Sequence, residues 1–166
     1  TLTQAQDNMD RVLAVLQGCA INHDGQSSGL TVPNGPSQQT VIAAAQRNAQ
    51  VTPDKISFIE SHGTGTKLGD PIEINSITEV FSGRAAEKPL YIGTVKTNIG
   101  HLEAAAGIAG IIKAVLSLSN AQIPAHLNFE TLNPLISFQG VPIEFPQRLT
   151  PWLRGADPNL AGVSAF

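Results

Sequence analysis

Residues 56–81 read ISFIESHGTGTKLGDPIEINSITEVF. The opening five, Ile56 to Glu60, form a short, mostly apolar run and predict a strand. Residues 61–69, SHGTGTKLG, are dense in glycine and predict a loop. Asp70-Pro71-Ile72-Glu73 then carries the signals of a helix start. Asp70 can cap free backbone N–H groups, Pro71 suits the first turn, and Glu73 can reach back. The helix is expected to run to Phe81. Strand, glycine-rich loop and helix in succession are the unit of a layered α/β fold, and such folds favour ligand sites at strand ends.

The same alternation extends in both directions. Upstream, Val12 to Asn22 (VLAVLQGCAIN) is mostly apolar and predicts a buried strand. HDGQSSGLTVPNGPS follows as a long loop, and Ser37 is expected to open a helix whose Val41, Ile42, Ala45 and Ala49 make one apolar stripe, with Pro53 beyond its end. Downstream, Leu90 to Lys96 (LYIGTVK) predicts a strand and Thr97 to His101 a loop. Glu103 to Ser119 predicts a helix that is apolar almost all round and therefore central. Its Ala104, Ala105, Ala106, Gly107, Ala109 and Gly110 leave room for close backbone approach. After Asn120 the chain is irregular and proline-rich as far as Trp152, with a short strand expected at Ile143 to Phe145, and Leu160 to Phe166 predicts a last buried strand. The first ten residues are polar, a loop or a helix end. No repeat, low-complexity segment or internal domain boundary is visible, so residues 1–166 are expected to form one unit.

Composition narrows the function classes. Charged residues make up 14 % of the chain, below the roughly one quarter usual for soluble domains, so much of this chain is expected to be buried against something else. A net charge of −3 with ten scattered basic residues argues against nucleic-acid binding, which relies on clustered Lys and Arg. The most apolar stretch, Leu102 to Leu118, contains Glu103, Lys113 and two glycines. A membrane span needs about 20 apolar residues with few charges, so no membrane association is expected. The single cysteine, Cys19, excludes an internal disulfide and a cysteine-based zinc site, and a reducing cytoplasm is the natural home. No signal peptide is visible. Cys19 lies inside an apolar run, with neither a helix N-terminus nor a positive neighbour to lower its pKa, and reads as a small core residue rather than a nucleophile.

Two loops contain a histidine in a distinctive setting. In His62-Gly63-Thr64-Gly65-Thr66 the glycines permit sharp turns and the threonines offer hydroxyls. In Lys96-Thr97-Asn98-Ile99-Gly100-His101 the histidine precedes the apolar helix, whose positive dipole end favours a neutral imidazole, as does a nearby Lys96. On residues alone, a turn with a surface histidine, and a surface ion pair at Lys96 with His101 capping a buried helix, remain open. His23 and His126 read as structural. The four histidines lack the close pairing of metal ligands, so no metal is expected. GTGTKLGD lacks the spacing of a phosphate loop, and no G-x-S-x-G elbow is present.

Several blocks together resemble the ketosynthase domain of modular type I polyketide synthases, a branch of the thiolase superfamily. They are GLTVPNGPSQ (29–38), ESHGTGTKLGDPIEI (60–74), KTNIGHLEAAAGIAGIIKAVLSL (96–118), HLNFETLNP (126–134) and AGVSAF (161–166). The resemblance implies a thiolase-like α-β-α-β-α fold built from two related halves, each a five-stranded sheet with helices, of which this chain supplies mainly the second. It implies a Cys-His-His site in which His62 and His101 are the two histidines and Lys96 is the lysine before the second. Thr64 and Thr66 match threonines that hold a phosphopantetheine arm. The family cysteine lies in a motif like D-T-A-C-S-S, absent from these 166 residues. The sequence also stops at Phe166, where the family continues with a glycine-rich gating stretch like G-F-G-G-T-N. A fragment that is inactive alone is therefore expected.

For the complete domain the resemblance implies decarboxylative Claisen condensation of a cysteine-bound acyl chain with a malonyl-type extender. The substrates would be carried on the phosphopantetheine of an acyl carrier protein, with no tightly bound cofactor. The implied partners are that carrier, the first half of the ketosynthase and a second copy in a homodimer. Rival readings are a non-elongating ketosynthase, a non-catalytic module that binds acyl groups or a carrier protein, and a fatty-acid synthase ketosynthase. Non-elongating members often lose the first histidine, and His62 is present.

Overall fold

The computed structural model describes every residue of the chain except 28, 30 and 31. That part of the GLTVPNGPSQ block lies outside the described residues. Ile56–Glu60 is β1, as the sequence predicts, and it is the centre of the fold. Leu90–Gly93 is β2, and it pairs with β1 in parallel at Phe58↔Tyr91 and Glu60↔Gly93. On the other side of β1 the chain returns at Leu160–Val163, again in parallel. A two-residue strand, Ile143–Glu144, pairs in parallel with β2. Numbered in chain order, with β3 at Gln122–Ile123, β4 at Ile143–Glu144, β5 at Thr150–Pro151 and β6 at Leu160–Val163, the main sheet runs β4-β2-β1-β6, while β3 and β5 form a small antiparallel pair.

Helices cover both faces of the main sheet. The helices are α1 (Leu2–Asp7), α2 (Gly35–Ala49), α3 (Gly69–Val80), α4 (Lys96–Ile99) and α5 (Ala106–Asn120). One face buries Ile59, Leu90, Ile92 and Ile143 against Ile74, Ile77 and Phe81 of the α3 region. The helix α2 packs alongside α3. The opposite face lies under α5, where Phe58, Ile123 and Trp152 form a second core with Leu118 and Ala161 at its margin. Alternate residues of a strand face opposite ways, so Phe58 and Glu60 share the α5 face. The result is an α-β-α stack.

Several elements depart from the expected boundaries. The run Val12 to Asn22 is not a strand. It has no ladder partner among the described residues, and Leu16 and Ile21 are 76 % and 90 % exposed. Apolar character alone does not create a sheet edge to pair with, and this chain covers the run on one side only. Side-chain bonds between this run and the α2 segment grip the backbone instead: Asn48 donates to the Cys19 carbonyl and Asn22 donates to that of Ser37, each at 2.8 Å. Cys19 is consequently exposed, not a core residue.

Helix α2 starts at Gly35 rather than Ser37, because Asn34 is the cap and accepts from the Ser37 N–H at 3.2 Å. Helix α3 starts at Gly69 with no side-chain cap, Asp70 and Glu73 being engaged elsewhere. The strand expected over 90–96 ends at Gly93, and Lys96 opens the single helical turn α4 where a loop is predicted. The segment 103–105 is a 3-10 turn, and α5 proper begins at Ala106. Only the stripe Ala106, Gly110, Ala114 and Ser117 of α5 is buried. Ile108, Ile112 and Leu116 are each more than half exposed, so the helix is not enclosed all round by this chain. Small residues face the sheet because the backbone approaches closely there. A Cβ on Gly110 would stand 3.1 Å from both Glu60 and Val163.

Candidate active site

The end of β1 delivers His62 by way of Ser61, whose N–H donates to the Gly93 carbonyl at 2.8 Å. The chain then turns at Gly63, with φ at +47°. A side chain here would meet Ser61 Oγ at 2.8 Å and Thr94 at 3.0 Å, so the position needs glycine for both its backbone angle and its space. Two carboxylates from the first turns of α3 hold the loop. Glu73 accepts from His62 N–H at 2.7 Å and Gly63 N–H at 2.8 Å, one on each oxygen. Asp70 accepts from Gly65 N–H at 3.0 Å. The residues expected to cap α3 thus reach across to the histidine loop. Glu73 is buried, and desolvation pushes its carboxyl up to about 7 against the opposing pull of those two N–H bonds.

His101 follows α4 and Gly100, five residues before α5 begins, so it is not at that helix's N-terminus. Its ring lies 5.2 Å from that of His62, centroid to centroid, at an interplanar angle of 83°. The two histidines, 39 positions apart in the sequence, are therefore neighbours. His62 Nδ1 accepts from the Phe166 N–H at 3.3 Å, and His101 Nδ1 accepts from the Glu103 N–H at 3.0 Å. An imidazole nitrogen that accepts a hydrogen bond carries no proton, so each neutral ring has its proton on Nε2. Each ring then has one N–H donor with no backbone partner among the described residues. Burial, followed by the charges of Lys96 and His101, lowers the His62 pKa to about 4.

Lys96 does not end a strand but opens α4, and no hydrogen bond joins it to His101 among the described residues. Its charge acts instead on His62, and burial lowers its own pKa against the attraction of Glu73 and Glu60. Thr64 and Thr66 place their hydroxyls 3.3 Å apart, Thr66 Oγ1 also accepting from Gly69 N–H at 3.1 Å. His126 lies edge-on to Phe129 and Phe145, and His23 accepts from Gly25 N–H within its own loop.

Sequence patterns do not reveal the two carboxylate clamps, since their spacing imitates a capping box, nor the Phe166 N–H contact. They also assign no role to the HLNFETLNP segment. There Asn128 donates to the Thr97 carbonyl at 3.3 Å and Asn133 to the Lys67 carbonyl at 3.1 Å, tying one irregular stretch to both histidine loops. A cavity of about 620 Å³ lies between them, lined in part by Thr66, Glu73, Thr97 and Phe129.

Solved structures share this fold closely. A ketosynthase domain of the oxazolomycin system of Streptomyces albus superposes with a TM-score of 0.93 at 36 % identity, over the whole of this chain and 30 % of the other. The ketosynthase from module 6 of the bacillaene synthase of Bacillus subtilis gives 0.92 at 38 % identity, with the same coverage. The fold is thus thiolase-like, and these residues occupy the C-terminal part of such a domain. The family described as beta-ketoacyl synthase, C-terminal domain, matches residues 13–130, and the chain belongs to it. Among curated relatives, a phenolphthiocerol/phthiocerol polyketide synthase polypeptide of Mycobacterium tuberculosis is 50 % identical over 165 residues, which is 99 % of this chain. The polyketide synthase GfsE of Streptomyces halstedii is 46 % identical over 166. The chain spans 8 % and 4 % of those two proteins.

Proposed function

We propose that this chain supplies the charge-stabilising half of a β-ketoacyl synthase that extends acyl chains in polyketide biosynthesis. The observation that carries the reading is the adjacency of two imidazoles whose Nδ1 atoms are both occupied by backbone N–H groups. That leaves two Nε2–H donors at the ends of neighbouring chain segments, the kind of preorganised pair that stabilises a developing oxyanion.

In the proposed reaction a cysteine thiolate, on a half-domain that is not part of these 166 residues, attacks an acyl thioester on a carrier protein and releases the carrier thiol. A malonyl-type thioester on a second carrier then loses CO2. The electrons of the broken carbon–carbon bond pass into an enolate, whose oxygen accepts from His62 and His101. The enolate carbon attacks the acyl carbon, a new carbon–carbon bond forms, and the carbon–sulfur bond breaks to regenerate the thiolate. Lys96 biases His62 toward its neutral, donating form. Thr64 and Thr66 hydrogen-bond the phosphopantetheine arm that carries each substrate. The exposed Ile108–Ile112–Leu116 face of α5 is the surface on which the cysteine-bearing half packs. The complete domain acts as a homodimer in the cytoplasm.

The test is made in the complete ketosynthase domain containing this chain. His62→Ala and His101→Ala should each suppress condensation by about 10²–10³-fold, while acylation of the cysteine by an acyl-thioester donor survives. Chain extension at the parental rate in either variant overturns the assignment.

A further inference from the structure

Glu60 and Lys113 form a buried ion pair that none of the steps above uses. The Glu60 side chain is 2 % exposed and that of Lys113 10 %, with Nζ 2.7 Å from Oε2. Lys113 is the only charged residue of α5, and its ammonium sits 5.6 Å from the centre of the Phe58 ring. Removing two charges from water is expensive, and apolar residues of similar volume often serve stability as well or better. Stability alone therefore does not account for the pair.

Its connections do. Glu60 is the last residue of β1 and stands two positions before His62. Its second carboxylate oxygen, Oε1, accepts the N–H of Val95, the residue immediately before Lys96. Its backbone carbonyl accepts the N–H of Ser164 at 2.9 Å, two residues before the Phe166 N–H that donates to His62. Lys113 lies on the helix that follows His101, one turn beyond Gly110, where an added Cβ would stand 3.1 Å from the Glu60 side chain. Through its carboxylate and its backbone, Glu60 therefore joins the strand that leads to His62 to the segment carrying Lys96, to the 164–166 segment that contacts His62 and to the helix that follows His101.

We propose that the Glu60–Lys113 ion pair is a positioning element that fixes the His62 loop and the His101 loop relative to each other. Its effect on rate rests on the ketosynthase reading; its effect on geometry does not. Neither residue is expected to touch substrate.

The test uses the complete ketosynthase domain with Lys113→Met, Glu60→Gln and Lys113→Arg. Small misplacements of catalytic groups cost about 10²-fold, so the two neutral variants should lower kcat for condensation by about 10–100-fold. KM for the extender and the rate of cysteine acylation should stay within about threefold, and Lys113→Arg should recover most of the loss. In the crystal structure of Lys113→Met the ring separation of 5.2 Å should change by about 0.5 Å or more, a tolerance that matters in catalytic constellations, with the pairing of β1, β2 and β6 intact. Should a single variant fail to fold, the double variant Glu60→Gln/Lys113→Met, which leaves no unpaired buried charge, carries the same expectations. Unmoved histidines overturn the proposal, as do parental condensation rates in the neutral variants, or equal losses of acylation and condensation that Lys113→Arg does not rescue. A parent domain that fails to condense overturns the ketosynthase reading instead, and the crystallographic comparison still decides this one.

Discussion

The carboxylate of Glu73 holds the backbone N–H of His62 at 2.7 Å from eleven positions further along the chain. The contact fixes where the imidazole starts from, and the second oxygen does the same for Gly63 at 2.8 Å. Both bonds need an acceptor on each oxygen, which only the ionised form supplies fully. Glu73→Gln replaces one acceptor by an NH2 group that faces an N–H, so one of the two bonds is lost. In the complete domain this should lower condensation by about 10–100-fold. With the parental carboxyl raised to about 7, condensation should also fall as pH drops below 7. Glu73→Gln should lose that limb of the pH profile; a profile unchanged between parent and variant refutes the clamp.

The His62 ring should titrate near 4 rather than near 6.5. Between those values the unfolded chain binds a proton at this ring that the folded protein does not. His62 therefore contributes stability above about pH 6.5, and the contribution is lost as pH falls through about 4. Burial is the larger cause and Lys96 the next, so Lys96→Met should move the value part of the way back toward 6.5. Histidine-resolved NMR titration of the domain measures both. A His62 pKa unmoved by Lys96→Met would show that the lysine's charge does not act on this ring.

Arg84 tests the foundation of the sheet rather than its chemistry. Its guanidinium is buried and donates to the carbonyls of Pro53 at 3.0 Å and Pro89 at 3.3 Å, and also to that of Lys88. It thereby joins the turn before β1 to the turn before β2. Arg84→Met keeps much of the stem's packing but leaves these carbonyls unpaired, which should cost about 2 kcal/mol or more. The denaturation midpoint should fall while the His62 titration stays put.

What the sequence could and could not reveal divides along a physical line. β1, the first histidine loop and the α/β alternation are legible, because apolar runs bounded by glycine clusters report local structure directly. The run Val12 to Asn22 misleads because burial of a strand depends on what lies beside it, and neither its apolar character nor Cys19 encodes that neighbour. The role of Glu73 was hidden for a related reason. At the start of α3 its spacing from Asp70 is that of a local cap, and only the fold shows that its carboxylate turns toward residues 62 and 63. Lys113 carries a legible signal: a lone charge in an otherwise uncharged helix implies a buried partner, and Glu60 is that partner. Lys96 is expected at the end of a strand, and α4 instead makes it the first residue of a helical turn.

Two glycines in the same loop separate conformational cost from steric cost. Gly63 and Gly65 both have positive φ, +47° and +75°. An alanine at either pays the left-handed penalty of about 1–2 kcal/mol. At Gly65 nothing lies within 4 Å of the added methyl group, whereas at Gly63 it meets Ser61 Oγ at 2.8 Å and Thr94 at 3.0 Å. Ser61 cannot yield freely, since its hydroxyl donates to the Gly93 carbonyl at 3.1 Å inside the sheet. Relief must therefore come from the backbone of residues 62 and 63, against the pull of Glu73. Gly63→Ala should cost more than Gly65→Ala by about 1 kcal/mol or more, the usual scale of local overpacking. It should also displace the His62 ring in a crystal structure. Equal costs for the two substitutions, with His62 unmoved in both, would mean that the close approach at Gly63 does not help to place the histidine.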